Sequence, residues 1–270
     1  MIKESCDGDI ARHFDEIDGE TQLKQALVRQ YIGRPKNEYF PLPEAPASAP
    51  EPQKPRAAMP VGKSPPDPEI TKLVQRLFLQ PTAGGGPKIV AFIGISREDR
   101  SSWICARAAQ ELAERASGSV CLVEANLFSP RLNSHLGAAN YNGLAEALCT
   151  KDPIQSFAIP LGGGNLWLIP SGIVKPGPFP SMDRYRERFA ELREAFDHVL
   201  VSAPSCSRES DATLIGQLSD GVVLIVDANL SRRESVRRAK EQLDSAHVKL
   251  LGAVLDQRTF PIPEKLYRRL

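Results

Sequence analysis

No apolar run in this sequence approaches the roughly 18 residues that a bilayer-spanning helix requires, and the opening Met1-Ile2-Lys3-Glu4-Ser5 has no signal-peptide core. The expected location is therefore cytoplasmic, with no direct membrane span. The five cysteines, Cys6, Cys105, Cys121, Cys149 and Cys206, lie far apart without a C-x-x-C pair, so neither a disulfide framework nor a zinc site is suggested. Cys105 and Cys121 fall in apolar stretches and read as small core residues. The four histidines are scattered and no G-x-S-x-G elbow occurs, which removes the support for hydrolase and zinc readings. An excess of charge is missing too. With 34 Lys and Arg against 33 Asp and Glu, the net charge of +1 gives no electrostatic case for nucleic acid.

What is present divides the 270 residues into three parts. Residues 1–40 are a polar head with one weakly amphipathic stretch, in which Leu23, Ala26, Leu27 and Tyr31 could share a helical face. From Pro41 to Pro68 the chain carries ten prolines among Ala, Ser, Glu and Lys, a composition that cannot bury a core; residues 41–66 are expected to be a disordered linker. Residues 67–270 read as one α/β domain. A helix opens at Asp67-Pro68-Glu69, and its Ile70, Leu73, Val74, Leu77 and Phe78 recur at helical spacing. Beyond it, apolar strands at 89–93, 120–123, 166–169, 198–202, 222–226 and 250–255 alternate with helical patterns at 101–116, 143–149, 182–195, 211–217 and 232–245. That alternation predicts a mainly parallel sheet covered on both faces, with ligands beyond the carboxyl ends of the strands. Gly94, Glu124 and Ser202 fall at such ends.

The stretch Gly94-Ile95-Ser96-Arg97-Glu98-Asp99-Arg100-Ser101-Ser102, between the first strand and its helix, has the frame of a phosphate-binding loop. The working pattern G-x-x-x-x-G-K-S/T wraps phosphates in bare backbone N–H groups, reaches them with lysine and holds Mg²⁺ with a hydroxyl. Here Gly94 and Ser101 stand in register, whereas Asp99 takes the second glycine position and Arg100 the lysine position. Two readings stay open for Arg97 to Arg100: a rewired phosphate site, since arginine forks phosphate well, or a solvated, self-paired turn. Ser101 and Ser102 could hold a metal or a phosphate, or serve as the helix N-cap.

The order of segments resembles one family. Val120-Cys121-Leu122-Val123-Glu124-Ala125-Asn126-Leu127-Phe128-Ser129-Pro130-Arg131-Leu132 is similar to the "VLLVDADLRRPSL" segment of bacterial tyrosine autokinases, the cytoplasmic ATPase partners of polysaccharide chain-length regulators. Gly143 to Leu148, Asn165 to Gly172, Phe196 to Pro204, Asp220 to Val226 and Leu251 to Asp256 follow in the same order. The likeness covers about residues 68–257 and belongs to the deviant-Walker ATPases of the MinD and ParA group. It implies a P-loop NTPase-like three-layer αβα fold, ATP and Mg²⁺ as cofactors, a membrane polysaccharide chain-length regulator or export protein as partner, self-association, and peripheral placement at the inner membrane through that partner.

The resemblance also assigns roles by position. Nucleotide would meet Gly94, Arg100, Ser101, Ser102 and Asp256, the last where the family has an asparagine near the base. Metal would meet Ser101 and Glu124. Glu124 and Asn126 stand at the two acidic positions of the family's D-x-D, and Ser202 stands at the aspartate of its "IIDTPP" strand. Those aspartates order Mg²⁺ and its waters, so losing their charge argues for a catalytically weakened or inactive relative acting as a regulatory binding module. The alternatives are an active ATPase or protein tyrosine kinase, with Arg100 in place of lysine and Glu124 on Mg²⁺, and a positioning ATPase of the MinD or ParA type. Arg232, Arg233, Arg237 and Arg238 read as either a solvated helix face or a contact for acidic lipid or a partner. Glu69, Lys72 and Arg76 resemble the family's assembly motif with altered spacing. Tyr267, alone near the end, reads as a docking residue rather than a phosphorylation substrate.

Overall fold

A computed structural model describes residues 67–79, 85–96, 100–162, 164–175, 180–206 and 209–258. The expectations for the head, the proline-rich linker, the turn at 97–99 and Tyr267 lie outside the described residues. Helix α1, Pro68–Val74, starts where Asp67 accepts the Glu69 N–H at 3.0 Å and Pro68 occupies the first turn, and a single π-turn, Gln75–Leu79, extends it. Then come β1 (Ile89–Gly94), α2 (Ser101–Arg115), β2 (Val120–Glu124), α3 (Leu132–Leu136), α4 (Leu144–Cys149), a 3₁₀ turn (Ile154–Phe157), β3 (Ile159–Pro160) and β4 (Leu166–Ile169). The chain continues through α5 (Met182–Ala195), β5 (His198–Ser202), α6 (Glu209–Leu218), β6 (Gly221–Asp227), α7 (Arg233–Ser245) and β7 (Leu250–Asp256).

The seven strands form one sheet in the order β3-β4-β2-β5-β1-β6-β7, parallel except for β3. Because the strands are buried on both faces, alternate residues of one strand serve different cores. Ile89, Ala91 and Ile93 join α4, α5, α6 and α7 on one side, whereas Val90 and Phe92 join α1 and α2 on the other. Cys105 and Cys121 are fully buried in these cores. Burial pushes the Cys105 thiol well up, helped by the nearby Glu124 carboxylate.

The strand order decides where chemistry can gather. β2, β5 and β1 are consecutive neighbours, and Glu124 pairs with Ser202 in the β2–β5 register. The C-terminal ends carrying Gly94, Glu124 and Ser202 therefore lie side by side, and the crossovers turn in opposite directions about β1. On the far side, Asp227 of β6 is register partner of Asp256 of β7.

Candidate functional site

The crossover from β1 into α2 is built around Arg100. It occupies the N-cap position of α2, with no side-chain capping bond, and Ser101 and Ser102 are the first two helical residues. The N-cap position, one of the roles open to the serines, falls instead to Arg100, because helical geometry begins at Ser101, one residue earlier than a Ser101 cap requires. Both serines are buried. The Arg100 guanidinium does not lie free above the loop: it stacks 3.9 Å from the Trp103 ring centroid, and its Nη1 donates to Asp256 Oδ1 at 3.4 Å. Two residues assigned to nucleotide by resemblance are thus joined to each other. The Gly94 carbonyl likewise accepts the Cys206 N–H at 2.9 Å.

Glu124 sits at the centre of a second knot and has no solvent exposure. Its Oε2 accepts the N–H groups of Arg131 and Leu132 at 2.8 and 2.9 Å, and its Oε1 accepts that of Asn126 at 3.2 Å. The side chain folds back to cap α3, placing its negative charge on the N-terminus of that helix. Ser202, the register partner of Glu124, shares a hydrogen bond with Ser102, their Oγ atoms 3.0 Å apart. Burial raises the Glu124 carboxyl above its ordinary value, and the donors from Leu132, Arg131, Asn126 and Ser202 oppose that rise. Asn126 Oδ1 closes the following turn by accepting the Ser129 N–H at 3.2 Å.

Two further features escaped the sequence reading. Asp227, only 1% exposed, accepts the N–H groups of Asn229 and Leu230 on Oδ1 at 2.8 and 3.0 Å, while its Oδ2 has no partner among the described residues. The signal was an aspartate closing an apolar strand before Asn and Ser, the pattern of an Asx turn. Glu146 is the other. Its carboxylate accepts the N–H of Gly143 and of Ile173, each at 2.9 Å, tying α4 to the loop after β4. Gly172 in that loop has φ +74°, and a β-carbon there would collide with the Glu146 carboxylate, so glycine is required. The segments Gly143 to Leu148 and Asn165 to Gly172, separate in the sequence, meet here: Leu144 and Ala145 donate to the Pro170 and Ser171 carbonyls at 2.8 and 2.9 Å.

Among the described residues, no group of three or more His, Cys, Asp or Glu side chains is arranged to hold a metal ion. His135, in α3, is held below its usual range by burial and then by the positive charges of Arg131 and Arg100. The exposed Glu69 and Lys72 pair with each other at 2.8 Å on α1.

No protein-family model matches the chain. Among curated proteins, a tyrosine-protein kinase of Bacillus subtilis, YwqD, is 27% identical over 51% of this chain and 59% of its own length. The tyrosine-protein kinase CpsD of Streptococcus agalactiae is 24% identical over 65% of this chain and 77% of its own. The chain is similar in sequence to bacterial tyrosine kinases. Among solved structures, the chimerical protein CapA2B2 superposes with a TM-score of 0.66 at 20% identity, over 73% of this chain and 87% of that one. The MinD cell division protein of Aquifex aeolicus gives 0.54 at 15% identity, over 67% of this chain and 72% of that one. The fold is therefore that of the MinD-type P-loop ATPases. The B. subtilis match spans less than two thirds of that kinase.

Proposed function

We propose that this chain is a catalytically weakened or inactive relative of the tyrosine-kinase component of exopolysaccharide and capsule systems, acting in the cytoplasm as a regulatory module that binds a membrane-embedded chain-length regulator or export protein. The observation that carries this reading is the internal saturation of the site. Kinase and ATPase chemistry needs a cation reaching the phosphates and carboxylates free to order Mg²⁺ and its waters. Arg100 is instead engaged by Asp256 and Trp103. Glu124 is engaged by three backbone N–H groups.

A Mg²⁺–nucleotide complex does not fit this donor set. To ligate the metal, Glu124 would have to abandon the N-terminus of α3 and leave buried N–H groups unpaired, at about 1–3 kcal/mol each. Ser202 supplies a hydroxyl where the kinase pattern has an acidic residue, and a hydroxyl offers little of the charge that offsets metal dehydration. The lysine and metal normally contribute several kcal/mol of transition-state stabilisation. Without them, the parts of the frame that persist, the parallel sheet and its ordered crossovers, suit a scaffold that presents surfaces.

The test is calorimetric titration of the purified protein with ATP, with and without Mg²⁺, alongside an autophosphorylation assay. The expected result is no metal-dependent heat at micromolar nucleotide and no phosphotyrosine. Micromolar, Mg²⁺-dependent binding with turnover would overturn the proposal and restore the active-kinase reading.

A further inference from the structure

We propose that the outer corner formed by the β6–α7 turn, the start of α7 and the end of β7 is a contact site for an anionic lipid surface, with Leu230 and Leu255 entering the interface and Arg232 and Arg233 meeting phosphate headgroups. Leu230 and Leu255 are 54% and 53% exposed. Single exposed leucines need no explanation, but these two stand on segments that are bonded to each other. The buried Asp227 carboxylate clamps the turn by accepting the Asn229 and Leu230 N–H groups, and the Ser231 hydroxyl accepts the Asp227 N–H at 3.1 Å. The Asn229 side chain then donates to the Gln257 carbonyl at 3.1 Å, and the Ala228 N–H donates to the Asp256 carbonyl at 2.9 Å. Leu230 is therefore fixed at the tip of a turn that is bonded to the end of β7, where Leu255 projects.

Charge supplies the second observation. Arg232 is the N-cap of α7 and Arg233 its first residue, both exposed. Cations at a helix N-terminus oppose the macrodipole and cost stability, so this placement does not serve the fold. From Arg232 to Lys240 there are five basic residues against one acidic, Glu234. Arg237 and Lys240 are partly offset by Glu241 and Asp244 further along the helix, at 3.4 and 2.5 Å, which leaves the excess concentrated at the N-terminal end beside the leucines.

The occupant follows from this chemistry. A second copy docked symmetrically would bring one arginine cluster against another, which is repulsive. Two leucines on a projecting turn and an edge strand suit a flat apolar boundary, and arginine binds phosphate bidentately. An anionic bilayer surface satisfies both.

The experiment is co-sedimentation of the full chain with vesicles of phosphatidylcholine alone and of phosphatidylcholine mixed with phosphatidylglycerol. We expect retention on the anionic vesicles only, weakening as salt rises. Since each basic residue near such a surface strengthens binding several-fold, the double variant Arg232→Gln/Arg233→Gln should bind roughly thirtyfold more weakly. Leu230→Ser should also weaken binding, whereas Arg186→Gln, on the distant helix α5, should not. All of these positions are exposed, so Leu230→Ser and Arg186→Gln should unfold with the parent and the arginine double variant no earlier than it, which separates a loss of binding from a loss of fold. Absence of sedimentation with anionic vesicles, equal binding to both vesicle types, or variants indistinguishable from the parent would each overturn the proposal. So would retention on an acidic polypeptide without retention on vesicles, which would assign the patch to a protein partner. Neither outcome bears on the nucleotide titration, so this site and the function proposed above stand or fall separately.

Discussion

The guanidinium of Arg100 lies 3.4 Å from the carboxylate of Asp256, joining the first turn of α2 to the end of β7. Both residues depart from the autokinase pattern, and each supplies the partner the other needs. The pair is partly open to solvent, with the two side chains 40% and 15% exposed, so its contribution to stability is about 1 kcal/mol or less. A double-mutant cycle through Arg100→Ala and Asp256→Ala should give a coupling of that size, shrinking at high salt. Asp256→Asn should release the guanidinium toward the cleft. Titration with inorganic pyrophosphate should then show a gain in affinity over the parent, absent from Asp256→Asn/Arg100→Ala; no gain would mean that Trp103 stacking alone holds the side chain.

The Glu124 knot makes a different prediction. Glu124→Gln keeps the shape but turns one carboxylate oxygen into a donor facing donors, either the Arg131 and Leu132 N–H pair or the Asn126 N–H. Leaving such groups buried and unpaired costs about 1–3 kcal/mol, which for a domain of this size lowers the melting temperature by roughly 2–10 °C. Glu124→Asp, which restores the kinase pattern, should also destabilise, because the shorter side chain cannot span to α3. Hydrogen exchange should accelerate first across 131–136. Unchanged exchange there in either variant would show that α3 does not depend on this carboxylate.

Much of this architecture was legible in the sequence because the parallel strands are short apolar runs bounded by polar residues. The strands at 166–169 and 198–202 and the helix at 182–195 have the bounds that their patterns predict. Strands β2, β6 and β7 run one residue further than predicted, through Glu124, Asp227 and Asp256, since an acidic side chain reads as loop although its backbone continues the ladder. Helix α3 left no signal: five residues carry no periodicity, and its stabilisation comes from Glu124, eight positions before Leu132. β3 was missed as a two-residue antiparallel edge containing Pro160. At the site, the substitutions were visible but their pairing was not. Arg100 and Asp256 are 156 positions apart, and only the order of strands brings them together.

Asp220 gives the pH prediction. Burial alone would push its carboxyl up, yet Arg193, at 2.6 and 3.1 Å, and the Ile89 and Lys88 N–H groups, both at 2.8 Å, hold it below the ordinary aspartate range. A carboxyl whose value is lower in the folded chain contributes stability above its unfolded value, about 3.9, and loses it as pH falls through the folded value. The parent should therefore exceed Asp220→Asn in stability at neutral pH, and the gap should narrow on acidification below about 4. Denaturant midpoints measured across that range check it; a gap that stays constant or widens toward low pH would contradict the assignment.

The largest single-residue effect on stability should come from Arg188, which is 1% exposed and the bulkiest of the fully buried side chains. Its Nε donates to the Ala147 carbonyl at 2.8 Å, Nη1 to the Asp152 carbonyl and Glu191 Oε2, both at 2.7 Å, and Nη2 to the Thr150 carbonyl. One guanidinium thus closes the C-terminal end of α4, where helix carbonyls have no partners of their own, and fastens it to α5. Arg188→Met would preserve much of the volume while orphaning the Ala147 and Asp152 carbonyls, the Thr150 carbonyl keeping Arg184 as a donor, and each buried group left unpaired costs about 1–3 kcal/mol. Arg188→Lys should be nearly as harmful, because an ammonium cannot reproduce the planar fork. Either variant should lower the melting temperature by roughly 10 °C and expose 144–157 to hydrogen exchange ahead of the central strands. A loss below about 1 kcal/mol would mean that apolar packing of α4 and the 3₁₀ turn, through Leu144, Leu148, Ile154 and Phe157, holds this corner without the arginine.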